Sequence, residues 1–387
     1  MSSEATTKPL FEITEAHLDT GLRGFPVGTC RTSAVDPEKG VTYVGYTLDQ
    51  LVDLPAEHVI YLLLNKELPS DDDADALRAE LAKRSPIDPA VFTALKALPK
   101  EGHPMEWLMT GLMLLGMTGK TGDYREDALN LIARITTLVA AIFRIREGWG
   151  DPIEPRHDLA FHENFAHMLG MDDAPDVLAE FLRIFYILHM DHGGGNLSTF
   201  TGKAIASGKA DIYASIAGAM GALYGPRHGR ANQECLKFVK SIGTSDPKAA
   251  EERVRGILAD GGLVFGFGHA VLRKEDPRAR IQYGFAQEHF ADHELVKTAL
   301  TLRTVVPSIL KENPKIKNPY PNVDAVSGSI MTAAGLTNPE YYTLLFGWSR
   351  VAGIASQIVD ERTFPGKKDG LAIYRPKYLA KDQPSRS

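Results

Sequence analysis

Cysteine is almost missing from this chain, with Cys30 and Cys235 the only two in 387 residues. Lying so far apart in sequence, they support neither a disulfide framework nor a cysteine-based zinc site, and they fit a reducing compartment. An excess of positive charge is missing too. The 43 lysines and arginines against 49 aspartates and glutamates leave a net charge of −6, which favours solubility and excludes the dominant basic footprint of a general nucleic-acid binder. Long apolar runs are also wanting: windows such as 107–117 fall short of the roughly 20 residues that span a bilayer. The N-terminal stretch 1–9 has no apolar core and carries Glu4, unlike a secretory signal or an arginine-rich transit peptide. It reads as a frayed tail, and the chain as a soluble, cytoplasmic protein.

Strand signal is scarce as well. It is nearly confined to 40–46, where short alternation between glycines suggests a strand or hairpin arm. Helical spacing dominates from Glu57 onward. Between Asp123 and about Arg146, Ala128, Leu131, Ile132, Ile135, Leu138, Val139, Ile142 and Ile145 recur at steps of three and four. Asp123 and Glu126 supply a start resembling a capping box. Further helices are predicted over 176–189, 341–359 and 211–224. The last is rich in alanine and glycine, so its backbone suits the centre of a bundle or a subunit contact. Pro226 and Gly229 stop it and form a candidate hinge. Shorter helices and most of the glycine-rich chemistry follow in 230–335, and the helix after Pro339 looks like a return to the larger part. The expected division is 1–229 and 336–387 for a large domain, with 230–335 for a small one.

The residues able to carry chemistry sit on glycine-flanked bends. His189-Met190-Asp191-His192 closes a helix and enters a glycine loop. This is a candidate metal cluster by composition, but a polar helix end by the plainer reading. Gly225-Pro226-Arg227-His228-Gly229 pins a second histidine between a helix stop and a glycine. Gly266-Phe267-Gly268-His269 sets a third on a bend and follows it with Arg273, Lys274 and Arg278, a segment able to hold an anion and move a proton. Asp324 follows the proline-stiffened turn 318–322 and, alone, would be read as a helix cap. Arg23, Arg350 and Arg375 are ordinary surface cations by default.

Taken together, the motifs HMDHGGGN at 189–196, GPRHGRANQE at 225–234, GFGHAVLRKEDPR at 266–278 and PNVDA at 321–325 resemble, in order, those of the citrate synthase family. The resemblance runs from about Gly21 to Pro376 and is closer to the branch of the mitochondrial enzymes. It implies an all-α homodimer with a large and a small helical domain and the active site in the cleft between them. It also implies that acetyl-CoA and oxaloacetate are the small-molecule substrates and that no metal or redox cofactor is needed.

By the same resemblance, Asp324 is the base, His228 the enolate stabiliser and His269 the donor to the oxaloacetate alkoxide. His192, Arg278 and Arg350 match oxaloacetate contacts, as does Arg375, which the other subunit would supply. Arg23, Arg273, Asn322 and the backbone around Val264, Gly266 and Gly268 match CoA contacts. The chain departs from the pattern at Val44, Gly193 and Val326, and only Lys120 lies near the place of a third phosphate-binding arginine. Three rivals remain on this reading: a 2-methylcitrate synthase using propionyl-CoA, a non-catalytic CoA-binding relative, and a metal-dependent hydrolase built on His189, Asp191 and His192.

Overall fold

The computed structural model describes residues 9–171, 176–363, 370 and 372–380; most of the predicted tail, 1–8, lies outside the described residues. The described chain is mostly helical, with one small antiparallel sheet of Ser33–Asp36, Gly40–Tyr43 and Tyr46–Thr47. The predicted hairpin arm is therefore real. Its tight turn consists of Val44 and Gly45, both at positive φ (48° and 89°), as the two-residue turn between right-twisted strands requires.

The helix Tyr124–Glu147 is the central element. Its burial is nearly complete, with Leu131, Ile132, Ile135, Leu138, Val139 and Ile142 at 0% exposure. Asp123 caps it by accepting from the N–H groups of Arg125 and Glu126. The expected reciprocal half of the capping box is not made. Glu126 pairs instead with Arg84 at 2.8 Å, and the Asp123 N–H goes to Thr121 Oγ1. This helix is long and apolar enough to cross a membrane by length and composition alone, which the shorter windows considered above do not convey. Here it is enclosed by other helices, Glu340–Arg362 chief among them, and the Trp348 indole donates to its Thr136 hydroxyl at 2.9 Å.

The small-residue helix Ile212–Leu223 packs against Leu197–Ser207 and Pro104–Gly119. A methyl group added at Gly218 would come within 2.2 Å of Ile205 Cδ1, and one at Gly116 within 2.9 Å of Tyr213 Cβ. Glycine therefore sets how near these three backbones lie. Helices Ala231–Ile242, Pro277–His289, Glu294–Lys311 and Asp324–Ala333 pack on one another; the bends of His228, His269 and Asp324 lie at the N-terminal ends of three of them, while the His192 loop joins Asp176–His189 to Leu197–Ser207.

Candidate active site

The sheet positions the first histidine loop. Tyr43, fully buried, donates to the Ile187 carbonyl at 2.9 Å and accepts from the Asp191 N–H at 3.1 Å. Thr32 donates to the Asp191 carboxylate at 2.5 Å, and Ser33 accepts from the Gly193 N–H. Asp191 also accepts from the His192 N–H and from Gln357. His189 closes its helix with Nδ1 2.8 Å from the Phe185 carbonyl. The plainer reading, a polar helix end, thus describes His189, while Asp191 anchors the loop that presents His192.

Arg278 lies beneath that loop. Asp276 caps the helix Pro277–His289 and grips the Arg278 guanidinium with both oxygens, Nε–Oδ1 at 3.0 Å and Nη2–Oδ2 at 2.7 Å. Both residues are buried, and pairing offsets the desolvation that a lone charge would suffer. Nη2 also faces His192 Nε2 at 3.3 Å, so that nitrogen accepts and the neutral ring carries its proton on Nδ1. Among the described residues Arg278 Nη1 has no hydrogen-bond partner. Arg350, 2% exposed, donates from Nε to the His189 carbonyl and lies over the Phe346 ring; its two terminal nitrogens likewise have no hydrogen-bond partner among the described residues. Two guanidinium groups thus keep donors in reserve for an anion.

Each of the other two histidines has one nitrogen committed. His228 Nε2 accepts from the backbone N–H of Ser198 at 3.2 Å and lies 2.9 Å from the Ser198 hydroxyl. A backbone N–H can only donate, so the neutral ring is protonated on Nδ1. His269 Nδ1 accepts from the N–H groups of Val271 and Leu272, both at 3.0 Å, which puts its proton on Nε2. Burial pulls both rings down to about 4, helped by Arg350 at His228 and by Arg278 at His269. Each is a neutral imidazole with one N–H to offer at pH 7.

Asp324 begins the helix Asp324–Ala333. It is half-buried, reachable from solvent yet crowded by protein. That burial pushes its carboxyl up to about 6, with Arg278 opposing and Asp276 reinforcing the shift. No hydrogen bond to this carboxylate occurs among the described residues, so a basic oxygen is left free.

The His192 and His269 rings lie 5.6 Å apart, and His228 and Phe346 6.5 Å. His192, His228, His269, Arg278, Asp324 and Arg350 therefore form one cluster. Arg273 is exposed beside it, donating to the Leu272 carbonyl. Arg23 and Arg375 are both exposed, and no interaction joins either to the cluster among the described residues. Lys120 pairs with Asp211 at 3.1 Å. A cavity of about 30 Å³ lined by Glu57, Arg78 and Thr136 shares none of these residues. Sequence reading missed Ser198 and Asp276. The Asp-Pro-Arg run, an N-cap before a proline at the first helical position, was a usable signal for Asp276.

Neutral donors, a raised carboxylate and buried guanidinium groups on an all-helical frame define an acid–base enzyme for a small anionic substrate. Residues 21–377 match the family described as "Citrate synthase, C-terminal domain". The chain belongs to the citrate synthase family, whose members are acyltransferases. It is 36% identical to citrate synthase 4, mitochondrial, of Arabidopsis thaliana, over 99% of this chain and 85% of the relative. It is 38% identical to the mitochondrial citrate synthase of Daucus carota (92% and 80%) and 34% to the peroxisomal enzyme of Saccharomyces cerevisiae (92% and 82%). Citrate synthase from Thermotoga maritima superposes with a TM-score of 0.84 at 27% identity, covering 95% of this chain and 97% of that one. The fold is equally that of Thermoplasma acidophilum citrate synthase, solved with carboxymethyl coenzyme A and oxaloacetate (TM-score 0.84, 24% identity, 95% and 97% coverage). The all-α expectation holds. The cytoplasmic location does not, because the curated relatives are named as mitochondrial or peroxisomal enzymes.

Proposed function

We propose that this protein condenses acetyl-CoA with oxaloacetate and water to give citrate and CoA. The observation that carries the reading is the pairing of a raised, unbonded Asp324 carboxylate with two neutral imidazoles whose free N–H groups are fixed by backbone bonds. The acetyl methyl is a weak acid, so Asp324 removes its proton while the His228 Nδ1–H bonds the developing enolate oxygen. The enolate carbon attacks the keto carbon of oxaloacetate. The new alkoxide is met by the His269 Nε2–H, and water then cleaves the citryl thioester. Arg278 and Arg350, with His192 and the partner-supplied Arg375, take the two carboxylates of oxaloacetate, whose burial unpaired would be prohibitive.

Arg23, Arg273 and the backbone at Val264, Gly266 and Gly268 border CoA in this reading. The large domain (1–229 and 336–387) and the small one (230–335) close on the substrates, the working unit is a homodimer, and no metal or redox cofactor takes part. Citrate detected by mass spectrometry after incubation of metal-stripped enzyme with acetyl-CoA and oxaloacetate is the expected result. Unchanged substrates from a folded sample would reject it.

A further inference from the structure

The base and the alkoxide donor come from different segments, yet the two segments are tied together at one side chain. Asn322 sits two residues before Asp324, and its Oδ1 accepts from the Asp324 N–H at 3.0 Å. Its Nδ2 donates to the Gly268 carbonyl, next to His269, at 3.0 Å. Its own N–H donates to the Gly266 carbonyl at 2.9 Å, the Gly268 N–H to the Tyr320 carbonyl at 2.9 Å, and Phe267 and Pro321 form an antiparallel bridge. The loop of His269 and the loop before Asp324 thus lie side by side, joined by one antiparallel bridge and by the Asn322 amide as a cross-link.

The approach is as close as the residues allow. Gly266 is at φ 82°, and a methyl group there would fall 2.6 Å from Cys235 Sγ and 2.9 Å from Ala325 Cα. Gly268 is at φ 91°. Glycine at both positions lets the backbone adopt this region and come near its neighbour. A carboxamide is suited to the gap because it is both a donor and an acceptor on one short stem. Alanine has neither, and aspartate keeps only the acceptor while adding a second anion near Asp324.

We infer that Asn322 is a positioning residue that fixes the distance between the proton-abstracting carboxylate of Asp324 and the His269 imidazole, rather than a side-chain contact to CoA. Both polar ends of its side chain are already engaged. This rests on the proposed condensation and deepens it, because the enolate formed at Asp324 has to meet a carbonyl polarised from His269.

The test compares wild type, Asn322→Ala and Asn322→Asp in steady-state thiol release and in hydrogen exchange of segments 264–272 and 320–326. A wild type active with either acetyl-CoA or propionyl-CoA serves as reference, so the choice of thioester does not enter. The expected result is a kcat at least about tenfold lower in both variants, with KM for the thioester within about threefold, and faster exchange of both segments in Asn322→Ala. In Asn322→Asp the acid limb of the pH profile moves to higher pH, because the added negative charge holds the Asp324 proton more tightly. Three outcomes overturn the inference: a raised KM with unchanged kcat, which marks a CoA contact; an Asn322→Asp variant equal to wild type, which marks a helix-end role that aspartate fills as well; or exchange in both segments unchanged in Asn322→Ala. Exchange is read without turnover, so an inactive wild type rejects the proposed reaction while leaving this comparison in force.

Discussion

The backbone N–H of Ser198 donates to His228 Nε2 across 3.2 Å, and this single bond decides which nitrogen of the ring carries its proton. Because the donor is main chain, the tautomer does not depend on the Ser198 hydroxyl. Ser198→Ala is therefore expected to keep kcat within about tenfold of wild type. His228→Ala, which removes the donor to the enolate, should lower it by about 10²- to 10³-fold, the cost of losing one such donor elsewhere. Steady-state kinetics of the two variants decides the point; equal losses would place the hydroxyl, not the backbone, in control.

The acid limb of activity should belong to Asp324. Its carboxyl, pushed up to about 6 by burial, has to be ionised to take a proton, so kcat/KM for the thioester falls about tenfold per pH unit below that value. The histidines, held at about 4, stay neutral across this range and add no limb between pH 5 and 8. A pH profile showing a second inflection near 6.5 would assign a titrating imidazole to the mechanism.

Asp324→Asn should abolish exchange of the acetyl methyl protons with solvent and leave oxaloacetate binding nearly intact, since the amide matches the size of the carboxyl but is no base. It should also raise stability. In wild type the folded carboxyl has a higher value than the unfolded one of 3.8, so its favourable protonated form is lost as pH rises through about 6. Above that the anion costs roughly 1–3 kcal/mol after allowing for its partial exposure. Denaturant unfolding of the variant at pH 8 is expected to be harder than that of wild type by that amount, with the difference vanishing near pH 4.

Arg375→Ala should weaken oxaloacetate binding, although Arg375 is exposed and no interaction joins it to the cluster among the described residues. Its neighbour Tyr374 is held by the Ser207 hydroxyl and packs on Phe200, which fixes where the segment leaves the helical body. Mixing Arg375→Ala with Asp324→Asn should restore about one working site per mixed dimer if the arginine crosses the interface. The activity of the mixture, set against that of each variant alone, is the measurement, and no rescue would return Arg375 to its own subunit.

Val44 is at φ 48°, in a region that β-branched side chains avoid. Val44→Asn gives the turn the Asn-Gly pair it favours and is expected to stabilise the protein by about 1 kcal/mol, read as a higher midpoint of thermal unfolding.

Much of this was legible in the sequence. The 3.6-residue recurrence from Ala128 to Ile145 marked the core helix, and the glycine-flanked histidines marked the bends on which the cluster is built. The tautomers were not legible, because they depend on backbone N–H groups that come from residues 30 positions away, as for Ser198, or from a local turn, as for Val271 and Leu272. Nor was the role of Asp191, whose partners Thr32, Tyr43 and Gln357 meet only in the fold. The capping box at Asp123 failed for a similar reason: Glu126 has the right spacing, but Arg84 from another helix offers it an ion pair.

The most direct test is the ratio of kcat/KM for acetyl-CoA to that for propionyl-CoA, each with oxaloacetate, from initial rates of thiol release. One methylene in an apolar pocket is worth about 1–3 kcal/mol of discrimination, so a preference for acetyl-CoA of roughly 10- to 200-fold is predicted. A higher value for propionyl-CoA, or no thiol release from a folded sample, would contradict the proposed reaction.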